Sequence, residues 1–462
     1  MAALSPVLDQ LDRDFPTSLE RLFGFLRIPS ISTDPAFAQS CRQAADWLVE
    51  DLRSIGFTAE RRDTPGHPMV VAHADGPAGS PHVLFYGHYD VQPVDPLDLW
   101  ARDPFDPVVE KAEDGVDVIR ARGSSDDKGQ IMTFVEACRA YNAVHGALPC
   151  RISILFEGEE ESGSPSLKPF LEAHKEELKA DFALVCDTGM WDRETPAISV
   201  GLRGILGVEL TIHAANRDLH SGSYGGAAAN PIRVLARILA DLHDADGRVT
   251  IPGFYEGVEE TPTQILESWK SLGVTNENFL GPIGLSQPSG ERGRSILELV
   301  WARPTAEFNG ITGGYTGEGF KTVIAAQATA KVSFRLVHKQ DPAKIRAAFQ
   351  RFVEERLPVD CRADWGKDHG GSPAIQLSYD APYLSKAQAA LSDEWPKPAV
   401  MIAMGGSIPI VGDFQTYLGM ESLLVGFGLS DDRIHSPNEK YDVESFRKGQ
   451  RSWARILDAL AK

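Results

Sequence analysis

The chain has 462 residues, of which 42% are hydrophobic, and its 65 acidic and 46 basic residues give a formal net charge of −19. A chain of this length and apolar content can bury a large core and form two or three domains. The negative charge would repel phosphates and anionic lipids, so we expect neither a nucleic acid nor a membrane as a partner.

The N-terminal segment and the cysteines indicate the compartment. The first residues, MAALSPVLDQLDRDF, are acidic and lack the basic and apolar regions of a signal or transit peptide. No run of about eighteen apolar residues is present, so we expect no membrane-spanning helix. The five cysteines are odd in number and lack CxxC spacing, which argues against a disulfide framework and a thiolate zinc site. We therefore predict a cytoplasmic protein.

The first two hundred residues alternate between helical and strand patterns. Apolar residues at helical spacing open the chain, and a second amphipathic helix over 41–55 ends at Gly56. Helices follow at 130–145 and near 166–178. Short apolar runs predict strands at 69–72, 82–86, 116–121, 151–156 and 182–186. Strands that alternate with helices predict a three-layer α/β domain with a mostly parallel sheet.

The pattern changes after about residue 202. Strand patterns at 205–212, within 323–337 and at 374–377, with helices at 230–242 and 342–352, suit a small ferredoxin-like α+β domain if the middle region forms two strands. Residues 244–319 are rich in Gly, Pro and Glu and look like an irregular insertion. The α/β pattern resumes near residue 382 and ends with a helix over 443–460. We predict one domain from 1–202 and 381–462, interrupted by an inserted domain over 203–380.

The stretch RISILFEGEEESG, residues 151–163, runs from alternating apolar side chains into four carboxylates within five positions. An apolar strand that ends in an acidic turn is the way an open α/β sheet brings ligands to the crevice at its strand ends. An isolated acidic run is also typical of a solvated loop. Residues elsewhere in the chain therefore decide between the two interpretations.

Further candidate ligands stand at predicted strand ends or turns. With the acidic pair included, the candidates are His88, Asp126, Glu160 and Glu161, Asp187, and His435. Imidazoles and carboxylates without thiolates suit Zn²⁺, Mn²⁺ or Co²⁺. A two-metal hydrolase needs a bridging carboxylate, a histidine and a carboxylate on each ion, and a further carboxylate to move protons. Each residue also has an ordinary structural interpretation, such as a helix N-cap or a turn, and spacing does not prove that they converge.

Eight segments, in order along nearly the whole chain, resemble the co-catalytic metallopeptidases that include carnosinase, cytosolic nonspecific dipeptidase, glutamate carboxypeptidase and acetylornithine deacetylase. These segments are GHYDVQP (87–93), RGSSDDKG (122–129), FEGEEESGS (156–164), DLHSG (218–222), KTVI (321–324), SFRLV (333–337), GGSIP (405–409) and IHSPNEK (434–440). The last three of these are similar to the dipeptidase branch in particular.

The resemblance implies two divalent metal ions, with Zn²⁺ preferred over Mn²⁺ and Co²⁺. It implies the following ligands: His88 and Asp187 for one ion, Glu161 and His435 for the other, and Asp126 as the bridge. It also implies that the peptide bond between Asp126 and Asp127 is cis.

The same resemblance implies the roles of the remaining acidic residues. Glu160 is expected to be the general base, and Asp90 to orient His88. Glu159 departs from the dipeptidase pattern, which tends to have an apolar residue there. This assignment depends on the alignment of the acidic turn, since a shift by one residue would move the base to Glu159.

Substrate groups are expected from the inserted domain and the C-terminal segment. The fork of Arg335 suits a peptide's C-terminal carboxylate, and Thr322 and Ser407 resemble neighbouring hydroxyl donors. His220 resembles a histidine that reaches the partner subunit's active site and stabilises the oxyanion. The resemblance thus implies a homodimer through the inserted domain, which would serve as lid and dimerisation domain.

The sequence therefore predicts a dinuclear metallopeptidase that cleaves the amide bond of dipeptides or small peptides with a free C-terminal carboxylate, using water activated by Glu160. An N-acyl amino acid deacylase or a glutamate-type carboxypeptidase would use the same metals and base and differ only in the pocket on the acyl side. A non-catalytic peptide-binding protein on the same scaffold is a third hypothesis, against which the complete ligand set and Glu160 argue.

Overall fold

Two groups of elements, interleaved along the chain, make up the computed structural model, which describes residues 3–366, 371–405 and 409–462. The first compact unit comprises Met1–Val200, Leu377–Ile402 and Asp413–Lys462, and the second comprises Gly201–Gln376 and Ala403–Gly412. Among the described residues, every helix is too short or too polar to cross a bilayer.

The strands in chain order are β1 (Thr58–Arg62), β2 (Met69–Ala74), β3 (His82–His88), β4 (Val108–Lys111), β5 (Asp117–Arg120), β6 (Arg151–Glu157), β7 (Phe182–Val185), β8 (Ala197–Leu202), β9 (Gly204–His213), β10 (Leu219–His220), β11 (Thr305–Gly313), β12 (Val323–Ile324), β13 (Gln327–Leu336), β14 (Arg362–Trp365), β15 (Gly371–Ser372), β16 (Ile375–Gln376), β17 (Val400–Met404), β18 (Ser422–Leu424) and β19 (Lys440–Asp442).

The α-helices in chain order are α1 (Leu4–Leu26), α2 (Ala38–Ser54), α3 (Lys128–His145), α4 (Leu167–Ala173), α5 (Lys175–Leu178), α6 (Ser221–Tyr224), α7 (Pro231–Ala240), α8 (Thr263–Ser271), α9 (Asn276–Leu280), α10 (Pro342–Glu354), α11 (Pro382–Ser392), α12 (Pro409–Asp413) and α13 (Val443–Leu460).

A nine-stranded sheet in the order β1-β2-β6-β3-β7-β18-β8-β16, with β17 also on β8, forms the larger sheet of the α/β fold. Its central strands β6, β3, β7 and β18 run parallel, whereas β1, β2, β8 and β16 pair antiparallel at the two sides. The parallel centre brings the carboxyl ends of β3, β6 and β7 to one edge, which is where a doubly wound sheet binds ligands. The predicted fold class is confirmed.

Helical segments pack on both faces of this sheet. Since successive side chains of a strand point to opposite faces, neighbouring residues of β3 contact different segments. Phe85 of β3 stacks on Phe134 of α3 with ring centroids 3.7 Å apart, and Trp453 of α13 meets Phe85 edge-on. The next residue, Tyr86, points the other way and meets the ring of Phe414. Phe85, Phe134 and Trp453 are fully buried. Truncating one of these rings to Ala would cost about 3–5 kcal/mol of stability.

The second unit contains a sheet in the order β11-β13-β9-β14, with β15 also on β9. Read along the chain with α7 and α10, these elements follow β-α-β-β-α-β, the ferredoxin-like connection that the sequence predicts. Even-numbered residues of β9, such as Leu206 and Leu210, are buried in a core with Phe334 and Phe349. The opposite face of the sheet is polar and carries Arg335.

Two predicted details of this unit are wrong. The fourth strand of its sheet is β14, whereas the predicted strand at 374–377 is β16 and pairs with β8 of the larger sheet. The strand β14, RADW, is a short edge strand with charged residues and so shows little apolar alternation. Residues 244–319 are not wholly irregular, since they include α8, α9 and the edge strand β11.

Candidate metal centre

Three of the five predicted metal ligands lie at the carboxyl ends of parallel strands of the larger sheet. His88 is the last residue of β3, Asp187 follows β7 by two residues, and Glu161 lies in the turn after β6. Asp126 lies two residues before α3. Because β6, β3 and β7 are neighbours in the sheet, their carboxyl ends converge. His435 comes from the loop before β19.

These residues form two groups that share one carboxylate. The ligand atoms of His88, Asp126 and Asp187 lie within 4.8 Å of one another, as do those of Asp126, Glu161 and His435. Asp126 Oδ1 is 3.1 Å from His88 Nε2, and Asp126 Oδ2 is 2.9 Å from His435 Nε2. One carboxylate thus faces a different histidine with each oxygen, which is the arrangement that a bridging ligand needs.

The charges at this edge fit divalent cations. Burial, and then the negative charge of Asp126, raise the pKa of Asp187 to about 7. Hydrogen bonds to Asp126 and Glu161 raise the pKa of His435 to about 10. Protons on Asp187 and His435 therefore reduce the electrostatic repulsion between carboxylates that lie close together. Carboxylates and imidazoles are hard or borderline donors, and the set of three carboxylates and two imidazoles suits two divalent ions such as Zn²⁺ or Mn²⁺.

Asp90 supports both halves of the site. Its Oδ1 lies 3.4 Å from His88 Nδ1, and the backbone oxygen of Asp90 lies 3.1 Å from the same nitrogen. Its two carboxylate oxygens also accept the backbone N–H groups of Glu160 at 3.2 Å and Glu161 at 3.0 Å. Asp90 is fully buried. One carboxylate therefore orients an imidazole and holds the acidic turn.

Three of the four glutamates in and just before the acidic turn have clearly different environments. Glu159 is 3% exposed, and its two oxygens accept the backbone N–H groups of His67 and Ser166, both at 3.0 Å. The Glu157 carboxylate is buried and accepts a hydrogen bond from the Tyr86 hydroxyl. Burial raises the pKa of Glu160, whose carboxylate accepts no hydrogen bond from the described residues. Of these three carboxylates, Glu160 is the one without a hydrogen-bond donor among the described residues.

The backbone before α3 has the predicted conformation, since the peptide bond between Asp126 and Asp127 is cis. The carboxylate of Asp127 belongs to neither group of potential ligands and accepts the backbone N–H of His88 at 3.2 Å. Asp126 therefore contacts the potential ligands, whereas Asp127 holds the backbone of His88.

The second unit carries three of the four residues predicted to bind substrate. His220 of β10 pairs with Val323 of β12, next to Thr322, and both predicted residues are exposed. Arg335 of β13 is half-buried and lines a cavity of about 590 Å³ within this unit. Neither His220 nor Thr322 lines that cavity. Ser407 lies outside the described residues.

Two residues near these sites were not predicted. Gln92, in the GHYDVQP segment, donates its amide to Glu161 Oε2 at 2.7 Å. Arg203 lines the same cavity as Arg335, and burial, and then the charge of Arg335, lower its pKa to about 10. Gln92 could have been predicted to lie near the site, because it follows Asp90 by two residues in the same segment. No local pattern indicates that Arg203 lines the cavity.

Comparisons with known proteins place this site in a family. The sequence profile of Peptidase family M20/M25/M40 matches residues 84–459. The chain is 30% identical over 464 residues to Cys-Gly metallodipeptidase DUG1 of Candida albicans, and the match covers 96% of this chain and 95% of that protein. It is 28% identical over 479 residues to human Beta-Ala-His dipeptidase, with 100% of this chain and 93% of that protein covered.

A solved structure agrees with these relatives. The M20 family metallo-carboxypeptidase Sso-CP2 from Sulfolobus solfataricus has a TM-score of 0.78 and 31% sequence identity, over 96% of this chain and 99% of that one. The family profile spans most of the chain and includes every predicted metal ligand. The chain belongs to Peptidase family M20/M25/M40.

Proposed function

We propose that the protein is a metal-dependent dipeptidase that hydrolyses the amide bond of dipeptides or small peptides with a free C-terminal carboxylate. One observation carries this proposal: the Asp126 carboxylate is shared by two groups of potential ligands, and near it in space lies the Glu160 carboxylate, which accepts no hydrogen bond from the described residues. The matched family and the names of its relatives, a Cys-Gly and a Beta-Ala-His dipeptidase, support this substrate class over acylated amino acids.

In this proposal the predicted ligands keep their roles. His88 and Asp187 would hold one divalent ion, Glu161 and His435 would hold the other, and Asp126 would be shared by both. When bound, two such ions polarise the peptide carbonyl and increase the acidity of a water molecule. Zn²⁺ is our first choice for both positions, since the ligands include two imidazoles, and Mn²⁺ and Co²⁺ are the alternatives.

Glu160 transfers protons in the proposed reaction. It takes one from the attacking water and delivers it to the nitrogen of the leaving amine as the amide bond breaks. The raised pKa that burial gives Glu160 suits this exchange, because a base whose pKa approaches the working pH both accepts and releases a proton readily. Asp90 keeps the Glu160 backbone and the His88 ring in place.

Arg335, which lines the cavity, is our candidate for the peptide's C-terminal carboxylate. Its guanidinium donates no hydrogen bond to a carboxylate among the described residues and can bind one through two N–H groups. Thr322 and Ser407 would add hydroxyl donors. His220 would stabilise the oxyanion in the active site of a partner subunit. The exposure of His220 in its own chain is consistent with that role.

We further propose a homodimer formed through the inserted domain of residues 203–380. The edge strand β11 exposes 41% of Phe308 and 62% of Ile311, and Phe320 in the following loop is 92% exposed. Unpaired strand edges with apolar side chains are surfaces that proteins cover.

Residues 1–202 and 381–462 would form the catalytic domain, a proposal that the two compact units support. The five free cysteines support a reducing, cytoplasmic location.

Two substitutions and metal removal test the proposed activity. Glu160→Gln should retain two metal ions but lower kcat by about 10²–10⁴-fold, since only proton transfer is lost. Glu161→Gln should weaken metal binding. The measurements are metal content after dialysis and turnover of dipeptides, tripeptides and acylated amino acids by apo protein reloaded with Zn²⁺, Mn²⁺ or Co²⁺. Full activity of the metal-free protein would refute the proposal.

A further inference from the structure

The carboxylate of Glu439 receives four hydrogen bonds from the turn that carries Asp126. Glu439 Oε1 accepts the backbone N–H groups of Ser125 at 2.9 Å and Asp126 at 3.1 Å. Glu439 Oε2 accepts the backbone N–H of Gly123 at 3.0 Å and Nη1 of Arg122 at 2.8 Å. Glu439 is fully buried. One side chain, more than three hundred residues further along the chain, therefore accepts three backbone N–H groups and one guanidinium N–H of this turn.

A second carboxylate from the same segment binds the same turn. Asp432 is also fully buried, and its Oδ2 accepts the Ser125 hydroxyl at 2.7 Å and the backbone N–H of Leu429 at 2.8 Å. Its Oδ1 accepts Nζ of Lys440 at 2.8 Å. The segment 429–440, which also carries His435, is thus attached to the turn at two points.

The turn has few local means of holding its shape. Asp127, the N-cap residue of α3, makes no capping hydrogen bond with its side chain. The N–H groups just before the helix are instead satisfied by Glu439, a residue distant in sequence. Buried N–H groups without acceptors are costly, so the backbone position of Asp126 depends on the Glu439 carboxylate.

Arg122 compensates the charge that this arrangement buries. Its side chain is 2% exposed, it pairs with Glu439, and its guanidinium carbon lies 5.3 Å from the centre of the Trp100 ring. A second N–H of the guanidinium reaches the backbone oxygen of Pro93 at 3.0 Å. A buried ion pair is a poor source of net stability, and its best-supported use is to specify one arrangement of the chain.

We propose that Glu439 is a positioning residue for the metal pair. Its carboxylate fixes the backbone of Asp126 relative to His435, so that the distance between the Asp126 carboxylate and the His435 imidazole stays constant. This inference rests on the proposed role of Asp126 as the shared ligand. Groups that hold metal ligands in place typically change metal affinity by about 10–100-fold when they are replaced.

The test is the substitution Glu439→Gln, which keeps the size of the side chain. One of the two oxygens becomes an NH₂ group, which then faces two N–H donors whichever way the amide turns. The matched control is Glu394→Gln, because Glu394 has a side chain that is 5% exposed and is held by Arg451 and Arg455 at 2.6 and 2.7 Å. Glu394 contacts no proposed ligand.

Full-length apo protein is titrated with Zn²⁺ in competition with a chelator, and the visible absorption spectrum of the Co²⁺-loaded protein reports ligand geometry. We expect Glu439→Gln to bind Zn²⁺ about 10–100-fold more weakly, with an altered Co²⁺ spectrum. Glu394→Gln should bind as the unmodified chain does, even where the two variants lose similar thermal stability. Unchanged Zn²⁺ affinity and an unchanged Co²⁺ spectrum in folded Glu439→Gln would overturn the inference.

Two further variants complete the experiment. Glu439→Asp keeps the charge that pairs with Arg122 but withdraws the carboxylate from the turn by one methylene, so it should weaken Zn²⁺ binding several-fold, and if Glu439→Gln does not fold, unchanged affinity in Glu439→Asp overturns the inference. Glu161→Gln separates the two proposals. If Glu161→Gln weakens Zn²⁺ binding and Glu439→Gln does not, only the positioning role fails, whereas unchanged binding in Glu161→Gln refutes the proposed site itself.

Discussion

Neighbouring glutamates in the acidic turn differ in what their carboxylates contact. The oxygens of Glu159 are both occupied by backbone N–H groups, whereas Glu160 accepts no hydrogen bond from the described part of the chain. Hydrogen bonds to both oxygens hold the Glu159 carboxylate within the turn, whereas a carboxylate without such bonds can exchange a proton with water. The environments therefore favour Glu160 over Glu159 as the proposed base.

The substitution Glu159→Gln tests this difference. The amide nitrogen would face the backbone N–H of either His67 or Ser166, so we expect a loss of about 1–3 kcal/mol in the free energy of unfolding. Turnover measured well below the unfolding temperature should stay within a few-fold of the unmodified enzyme. Denaturant unfolding and steady-state kinetics give the two values. A loss of kcat as large as that in Glu160→Gln would move the base to Glu159.

At the scale of elements, one carboxylate links helix α5 to the edge of the large sheet. Glu177 of α5 accepts two hydrogen bonds from Arg62 of β1, at 2.6 and 2.7 Å. His73 Nε2 of β2 lies 3.1 Å from Glu177, and His174 Nδ1 lies 3.3 Å from it. The bidentate pair with Arg62 is the strongest of these contacts. This group connects the short helix to strands β1 and β2.

The same group predicts a pH dependence of stability. The hydrogen bonds from Arg62 lower the pKa of Glu177 to about 2, against 4.5 in the unfolded chain. A carboxylate with a lowered pKa stabilises the fold above the unfolded pKa, and this contribution is lost as the pH falls from about 4.5 towards 2. Because the Glu177 side chain is 31% exposed, solvent screens its ion pair with Arg62, and we expect only about 1 kcal/mol or less.

Unfolding by urea at pH 6 and pH 3 measures the contribution. Glu177→Gln should be less stable than the unmodified chain at pH 6, and the difference should shrink towards zero as the pH approaches 2. Glu176→Gln, which changes the adjacent exposed carboxylate, is the control and should show little difference at either pH. A constant difference between Glu177→Gln and the unmodified chain at both pH values would contradict this account.

At the scale of the whole molecule, the proposed dimer depends on a strand edge that carries apolar side chains. Strand β11 pairs with β13 on one side, and within the described residues its other side has no partner. A net charge of −19 keeps copies of the chain apart at long range, so a specific apolar contact is needed for association. Ile311, near the centre of this strand, is the most exposed apolar residue on it.

We predict that Ile311→Lys converts the proposed dimer to a monomer, since a charge on an edge strand opposes pairing between copies. Light scattering coupled to size-exclusion chromatography measures the mass of each species. Val359→Lys is the control, because Val359 is a fully exposed apolar residue outside this strand. The unmodified chain and the control should give twice the mass of one chain. An unmodified chain that elutes as a monomer would contradict the proposed dimer.

Several elements were predictable because their apolar periodicity is strong. The predicted helix at 443–460 has the bounds of α13, whose buried residues include Phe446, Trp453 and Leu457 at helical spacing. Strand β14 and the second strand of the ferredoxin-like unit, β11, were missed. Both are edge strands with many exposed residues, so their burial depends on neighbours rather than on local pattern.

The sequence by itself determined the α/β class and the types of candidate ligand at strand ends, because both follow from patterns over a few residues. Only the tertiary structure decided that the oxygens of Asp126 face His88 and His435, and that Glu439 holds the turn between them. These contacts join residues up to 317 positions apart. Their geometry depends on how strands and loops pack, which no local pattern specifies.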